Sequence, residues 1–231
     1  MTAYDIDEDA LAAVAAHCAR TTTDLDEAAE SDVVVVAVKP DIVGVVLNEL
    51  DLSPEQTVVT VAAGVPTEFV EARTDATVVR IMPNLAAETR DMAAAVTWED
   101  VDDDVRALLE ELGEYVEIDE ELMDVATALN GSGPAFAFYF LQSMAEAGVE
   151  EGLDPAEAEV LAAQTIKGAA ETVLRADRSV DELIDAVCSP NGTTIEGMEV
   201  LWDSDFEAVV GDALAAAAER SRELATEVDR E

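Results

Sequence analysis

Three runs rich in β-branched residues dominate the first half of the chain: VVVV at 33–36, TVVTV at 57–61 and ATVVRIM at 76–82. They are continuously apolar rather than alternating, the pattern of strands buried on both faces, as in a parallel sheet covered by helices. Helical segments lie between them, DIVGVVLNEL at 41–50 and TEFVEART at 67–74. A strand–helix–strand order predicts parallel crossovers and an α/β fold. Each run ends near a Gly, Pro or Asn, in AVKP (37–40), AAG (62–64) and MPN (82–84). Parallel strands place such ends on one rim, where open α/β sheets bind ligands. Upstream, TAYD (2–5) and RTTT (20–23) read as short strands, and DLDEAAES (24–31) as a short helix. Asp7 is the expected cap of a helix over 8–18, with Glu8 and Asp9 suited to its positive end. MAAAVTWE (92–99) and YVEID (115–119) are two further strand candidates around a helix at 101–112.

The texture changes at about Asp119. EELMDVATALN, PAFAFYFLQSMAEAGVEEG, PAEAEVLAAQTIKGAAETVLRA, VDELIDAVC, TTIEGMEVLWD and the stretch 206–230 all have helical patterns, punctuated by Gly131, Gly133, Gly152, Pro155, Pro190 and Gly192. The expected organisation is an α/β domain over 1–118 and an all-helical domain over 119–231. These helices are apolar over much of their surface, which predicts a helical dimer interface.

Charge restricts the function classes. The chain has 53 acidic residues against 12 basic ones, a net charge of −41 in 231 residues, yet half its residues are hydrophobic. That hydrophobic fraction is too high for a disordered acidic chain. The expected surface is a halophilic-type carboxylate coat, self-repelling in dilute buffer and screened in molar salt, where the Debye length falls to about 3 Å. Nucleic acid and anionic membranes are not expected partners of such a surface; mimicry of nucleic acid is a lesser alternative supported by charge alone. No apolar run approaches the roughly 18 residues of a membrane span, and the first residues, MTAYDIDEDA, lack the pattern of a signal peptide. A salt-rich cytoplasm is the expected location. Cys18 and Cys188 cannot form a disulfide framework. His17 and Cys18 point about 100° apart on a helix, so no metal site is expected.

The informative polar groups are small and uncharged. In CSPNGTTIEGM (188–198), Ser189, Pro190, Asn191 and Gly192 make a turn, and Thr193 or Thr194 opens a helix. Free N–H groups and a positive dipole end suit a carboxylate or phosphate there, with the Ser189 and Thr194 hydroxyls adding to them. An ordinary capped helix start is the competing explanation. LNGSGPAFAFYF (129–140) joins two helices, with Pro134 suited to a first helical turn; taken alone it is a packing hinge.

In combination and in order, AVKP (37–40), AAGV (62–65), RIMPN (80–84), GSGPAFAFYF (131–140), GLDPAEAEVLAAQTIKGAA (152–170) and SPNGTTIEGM (189–198) resemble the pyrroline-5-carboxylate reductase family. The resemblance runs through nearly the whole chain. It implies a Rossmann-type domain, then a helical domain that forms a homodimer or a larger homo-oligomer. The implied reaction is reduction of 1-pyrroline-5-carboxylate, a small cyclic imine, to L-proline with NADPH or NADH. It further implies that Ala37, Val38, Lys39, Pro40, Ala62, Ala63, Gly64, Met82, Pro83 and Asn84 line the cofactor. Ser189, Asn191, Gly192, Thr193, Thr194 and Pro134 would hold the substrate, with Thr194 near the imine nitrogen and Thr194 and Ser189 the catalytic pair.

The family opens with a strand and a glycine-rich phosphate loop, whereas no glycine precedes Gly44 here. The start MTAYDID matches the family's second strand, so a βα unit of about 25–30 residues is expected to be missing. Its strand would be central, leaving TAYD and VVVVAVK as neighbours across a gap. Either coding sequence upstream supplies that unit, or the chain is a truncated, catalytically impaired homologue serving as a helical dimerisation and interaction module. Asp5, at the end of TAYD and followed by Ile6 rather than a basic residue, leans towards NADH. The charge carries a prediction of its own: the melting temperature should rise between dilute buffer and molar KCl. An unchanged value would contradict the carboxylate-coat reading.

Overall fold

The computed structural model describes residues 1–99, 101 and 103–228. Asp102 of the expected helix 101–112 and residues 229–230 of the expected last helix lie outside the described residues. The α/β part begins with β1 (Thr2–Tyr4), α1 (Glu8–Val14) and β2 (Arg20–Thr22), followed by α2 (Leu25–Ala29) and β3 (Val33–Val36). It continues through α3 (Pro40–Glu49), β4 (Thr57–Thr60), α4 (Thr67–Glu71), β5 (Thr77–Met82), β6 (Met92–Thr97), α5 (Asp103–Leu112) and β7 (Gly113–Glu117). Asp7 caps α1 as expected, its carboxylate accepting from the Asp9 N–H at 2.9 Å.

The strands form two sheets. β1 pairs in parallel with β2. β3, β4 and β5 are parallel, β6 is antiparallel to β5, and β7 is parallel to β6, in the order β3-β4-β5-β6-β7. β1 and β3 do not pair with each other among the described residues. The β3 ladder stops at Val36, so Ala37 to Lys39 belong to the rim rather than to the strand.

The continuous apolar runs have the expected cause. On one face Val58 and Val78 pack with Val43 and Leu47 of α3 and Val70 of α4. On the other, Val59, Val79 and Ile81 pack with Val105 and Leu109 of α5. Both faces of β4 and β5 are therefore removed from water, and period-2 alternation of polarity is lost. Among the described residues, one charged side chain of this sheet is buried. Arg80, 4% exposed, lies between Thr60 and Thr97 across β4, β5 and β6. It pairs with Glu120, whose Oε1 also accepts from the Thr67 N–H that opens α4.

After β7 come a 3-10 turn (Glu120–Leu122), the single turn α6 (Met123–Ala126) and a π-helical turn (Thr127–Gly131). The sequence reads this stretch as one helix; it is three segments of different pitch. The remaining elements are α7 (Gly133–Glu150), α8 (Pro155–Arg175), α9 (Val180–Val187), α10 (Thr193–Trp202) and α11 (Phe206–Val228). Compactness divides the chain elsewhere than the change of texture at 118/119, into residues 1–132 with 215–231 and residues 133–214. Residues 119–132 and the end of α11 join the α/β unit for visible reasons. Met123 is fully buried with Met82 and Ala95, and Ser221 donates to Asp124 at 2.5 Å.

The second unit has almost no interior. Within 133–214 only Ala158 and Ala162 are buried, while Phe138, Tyr139, Val160, Leu174, Val200 and Trp202 are more than half exposed. Helices presenting such surface are not stabilised by their own burial.

The Arg80–Glu120 pair generates a stability prediction. Glu120→Ala leaves the guanidinium buried without its counter-charge. It should lower unfolding free energy by about 3 kcal/mol in a denaturant titration; a loss typical of a surface pair would show that the ion pair does not hold this junction.

Candidate functional site

In the first unit, the register of the parallel strands brings the three predicted rim segments level. Val36 pairs with Thr60 and Thr60 with Arg80, so the chain leaves β3, β4 and β5 at the same edge. Ala37 to Lys39 lead into α3, with Lys39 its N-cap and Pro40 its first residue. The exposed Lys39 thus enters the chain at a helix start whose first N–H groups carry partial positive charge. After β4, the Thr60 hydroxyl accepts from the Ala62 N–H at 3.4 Å, Ala62 and Gly64 are buried, and Ala63 is half-buried. Gly64 has φ +73°, and a Cβ there would lie 2.9 Å from the Ala225 nitrogen of α11. Its backbone conformation and the close approach both require glycine.

The third segment is held by side chains. Met82 ends β5, and Pro83 and Asn84 follow it. Asn84 Oδ1 accepts from the N–H groups of Ala86, at 3.1 Å, and Ala93, at 3.2 Å. Asn130 Nδ2 donates to the carbonyls of Met82, at 2.6 Å, and Ala93, at 3.0 Å. All ten residues expected to face a cofactor therefore sit along one rim of one sheet.

The ends of the smaller sheet are acidic. Asp5 follows β1, its Oδ1 accepting from the Asp7 N–H at 2.9 Å, and Asp24 caps α2 just beyond β2. Arg20, at the start of β2, is paired with Glu27.

In the second unit, the stretch 188–194 is a tight turn into a helix. The Ser189 carbonyl accepts from the Gly192 N–H at 2.9 Å, and Asn191 adopts the left-handed conformation with φ +60°. Gly192 is the N-cap of α10 and has no side-chain cap bond, leaving the first-turn N–H groups of Thr193 and Thr194 without a capping side chain. A Cβ on Gly192 would lie 2.4 Å from the Ser189 Oγ, so glycine is what allows that hydroxyl to lie over the turn. Thr194, half-buried, lines a groove of about 400 Å³ together with Val180, Ile184, Val187, Cys188 and Met198. Among the described residues, the other members of this predicted set do not line it. Pro134, the second residue of α7, belongs to the same unit.

The structure thus gathers the predicted residues into two sets, one in each unit. Asn130, the Arg80–Glu120 pair and Cys188 were not foreseen. Asn130 immediately precedes GSGP, which was the available signal, but its partners are distant in sequence.

A mainly parallel sheet with a level three-segment rim, followed by helices and a hydroxyl-bearing helix start, is an architecture that dinucleotide-dependent oxidoreductases use. The comparisons with known proteins narrow this class. A family model described as pyrroline-5-carboxylate reductase dimerisation matches residues 120–224, and one described as NADP oxidoreductase, coenzyme F420-dependent, matches residues 1–64. The chain is 41% identical over 204 residues to a pyrroline-5-carboxylate reductase of Methanosarcina acetivorans, covering 84% of this chain and 76% of that one. It is similar to a pyrroline-5-carboxylate reductase structure from Coxiella burnetii, with a TM-score of 0.88 and 32% identity over 96% of this chain and 87% of the other. It is also similar to a Plasmodium falciparum pyrroline carboxylate reductase with NADP bound, with a TM-score of 0.81 and 29% identity over 97% and 89% of the two chains. The chain belongs to the pyrroline-5-carboxylate reductase family.

Proposed function

We propose that the protein reduces 1-pyrroline-5-carboxylate to L-proline with a nicotinamide dinucleotide. Beyond family membership, the observation that carries this reading is the turn at Ser189 to Thr194. A left-handed Asn191, a Gly192 pressed under the Ser189 hydroxyl and an uncapped start of α10 make an arrangement of donors suited to a small carboxylate. In this reading Ser189, Asn191, Gly192 and Thr193 hold the substrate carboxylate, with Pro134 bordering the substrate. The Thr194 hydroxyl hydrogen-bonds at the imine nitrogen. Protonation there makes the imine carbon a better hydride acceptor, so a hydroxyl that orients or relays the proton assists the reaction.

The rim fits a dinucleotide. Ala37, Val38, Ala62, Ala63 and Gly64 present small side chains or bare backbone, and Lys39 brings one of the chain's two lysines to the start of α3. Ala37 to Pro40, Ala62 to Gly64 and Met82 to Asn84 would hold the bound cofactor, which supplies the hydride. The protein supplies alignment and exclusion of water. Residues 1–118 are assigned to cofactor binding and 119–231 to substrate binding and dimerisation. The sparse interior of 133–214 supports a second copy of the chain as the cover for its exposed apolar helices. The net charge of −41 supports a protein with neither nucleic acid nor an anionic membrane as partner, working in a salt-rich cytoplasm. Among the described residues no helix is long and apolar enough to cross a membrane.

The test is NAD(P)H oxidation dependent on pyrroline-5-carboxylate, run on the 231-residue chain. Thr194→Ala should lower kcat/KM by about 100-fold or more, and full activity in that variant would remove the assigned role. A stable oligomer with no turnover and no dinucleotide binding would favour the interaction-module reading instead.

Cofactor choice follows from the acidic strand ends. A 2′-phosphate on the adenosine ribose would meet Asp5, with Ile6 rather than a cation beside it, whereas free ribose hydroxyls can donate to that carboxylate. NADH should be preferred in kcat/KM by about tenfold, equivalent to roughly 1.4 kcal/mol of like-charge repulsion. Preference for NADPH would refute this choice.

A further inference from the structure

The antiparallel ladder of β5 and β6 pairs Arg80 with Thr97, Ile81 with Val96 and Met82 with Ala95. Beyond Met82 the chain leaves the sheet through Pro83 and returns at Met92. At this fork two asparagine side chains take over. Ala93 gives its N–H to Asn84 Oδ1 and accepts at its carbonyl from Asn130 Nδ2, which also reaches the Met82 carbonyl. The fork is bridged from outside the ladder by a residue 37 positions away from Ala93.

Two features make the Asn130 contact specific. Both of its partners are carbonyl oxygens, which only accept, so the amide nitrogen must face them and the side-chain orientation is chemically determined. Asn130 also lies in the π-helical turn Thr127–Gly131, directly before the Gly133–Pro134 start of α7. π turns are rare and recur at functional sites. Asn130 Oδ1 is buried and has no partner among the described residues. An orphaned acceptor is unfavourable, so the two donated bonds are what the placement of this amide achieves.

We propose that Asn130 is a positioning residue for the dinucleotide. It clamps the fork between β5 and β6 and thereby sets the Met82–Asn84 segment of the rim. The proposal rests on the reading that this rim holds the cofactor. It assigns Asn130 no contact with cofactor or substrate.

Asn130→Asp is the sharpest variant. It keeps shape and removes both donors, setting a carboxylate against two carbonyl oxygens. Asn130→Ala removes the donors without adding charge and serves if the aspartate variant does not fold. The matched control lies at the opposite end of the sheet. Gln56, just before β4, donates through Nε2 to the carbonyls of Ala29, at 2.7 Å, and Ser31, at 2.8 Å, and accepts at Oε1 from Ser53. Gln56→Glu therefore deletes the same kind of double donation away from the rim.

Four readouts are taken: melting temperature, NADH affinity by fluorescence titration, hydrogen exchange of the peptide spanning 83–93, and the KM values for the dinucleotide and for the imine. Both asparagine variants should weaken NADH binding by about tenfold or more, as small misplacements of a binding segment do. They should speed exchange in 83–93 and raise KM for the dinucleotide more than KM for the imine. Gln56→Glu should lower the melting temperature yet keep wild-type affinity and wild-type exchange in 83–93. Wild-type affinity in Asn130→Asp, or equal weakening in Gln56→Glu, would overturn the positioning role while leaving the functional reading intact. A wild-type chain that binds no dinucleotide would sink both.

Discussion

Burial of β4 on both faces and both edges is the constraint from which the rest of the first unit follows. Its four residues are all buried, and its backbone groups are taken up by β3 on one side and β5 on the other. The packing on both faces selects the register, because a slip of one residue would put Thr57 or Thr60 into a core slot now filled by Val58 or Val59. That register makes the ends of β3, β4 and β5 level. The rim is thus a by-product of core packing: valines select the alignment, and the alignment delivers Ala37, Ala62 and Met82 to one edge. The Arg80–Glu120 pair depends on the same register, since it places the only charged residue of β5 where the segment after β7 can reach it.

Much of this was legible because it rests on local pattern. The rim segments stand at the ends of β-branched runs and are marked by Gly, Pro or Asn. Asp7 announces its helix by the acids that follow it. The turn at Ser189 to Gly192 and the helix from Thr193 are likewise spelled out by Pro, Asn, Gly and Thr in succession. What stayed hidden depends on residues brought together from far apart. Nothing in ATVVRIM indicates that its arginine is paired, because the partner lies 40 positions later. EELMDVATALN has a helical composition, and its division into 3-10, α and π turns follows from how Met123 and Asn130 engage the sheet. The alliance of the end of α11 with the first unit is a tertiary outcome of the same kind, whereas the separation of β1 and β2 from the larger sheet follows the gap expected between TAYD and VVVVAVK.

The two asparagines at the β5–β6 fork show how one residue type can serve opposite ends of a hydrogen bond. Among the described residues, Asn84 acts through its oxygen and Asn130 through its nitrogen. A carboxylate could imitate the first and not the second. Composition treats the two positions alike, yet their tolerance to an acidic replacement must differ. In a protein with 53 acidic residues, a neutral amide next to two carbonyls marks a place where a negative charge is not accommodated.

The near-absence of an interior in residues 133–214 has a consequence for how the protein comes to exist. With a second copy as the proposed cover, the apolar faces of α7 to α10 meet their partners only after two chains encounter each other. Folding of that half is then second order in chain concentration, and its stability is shared between molecules rather than owned by one. Newly made chains would pass through a stage with an exposed hydrophobic surface under a dense negative coat. The carboxylates that repel copies from one another would also slow the clumping of that stage, and the encounter that completes the fold would be faster where counter-ions screen them.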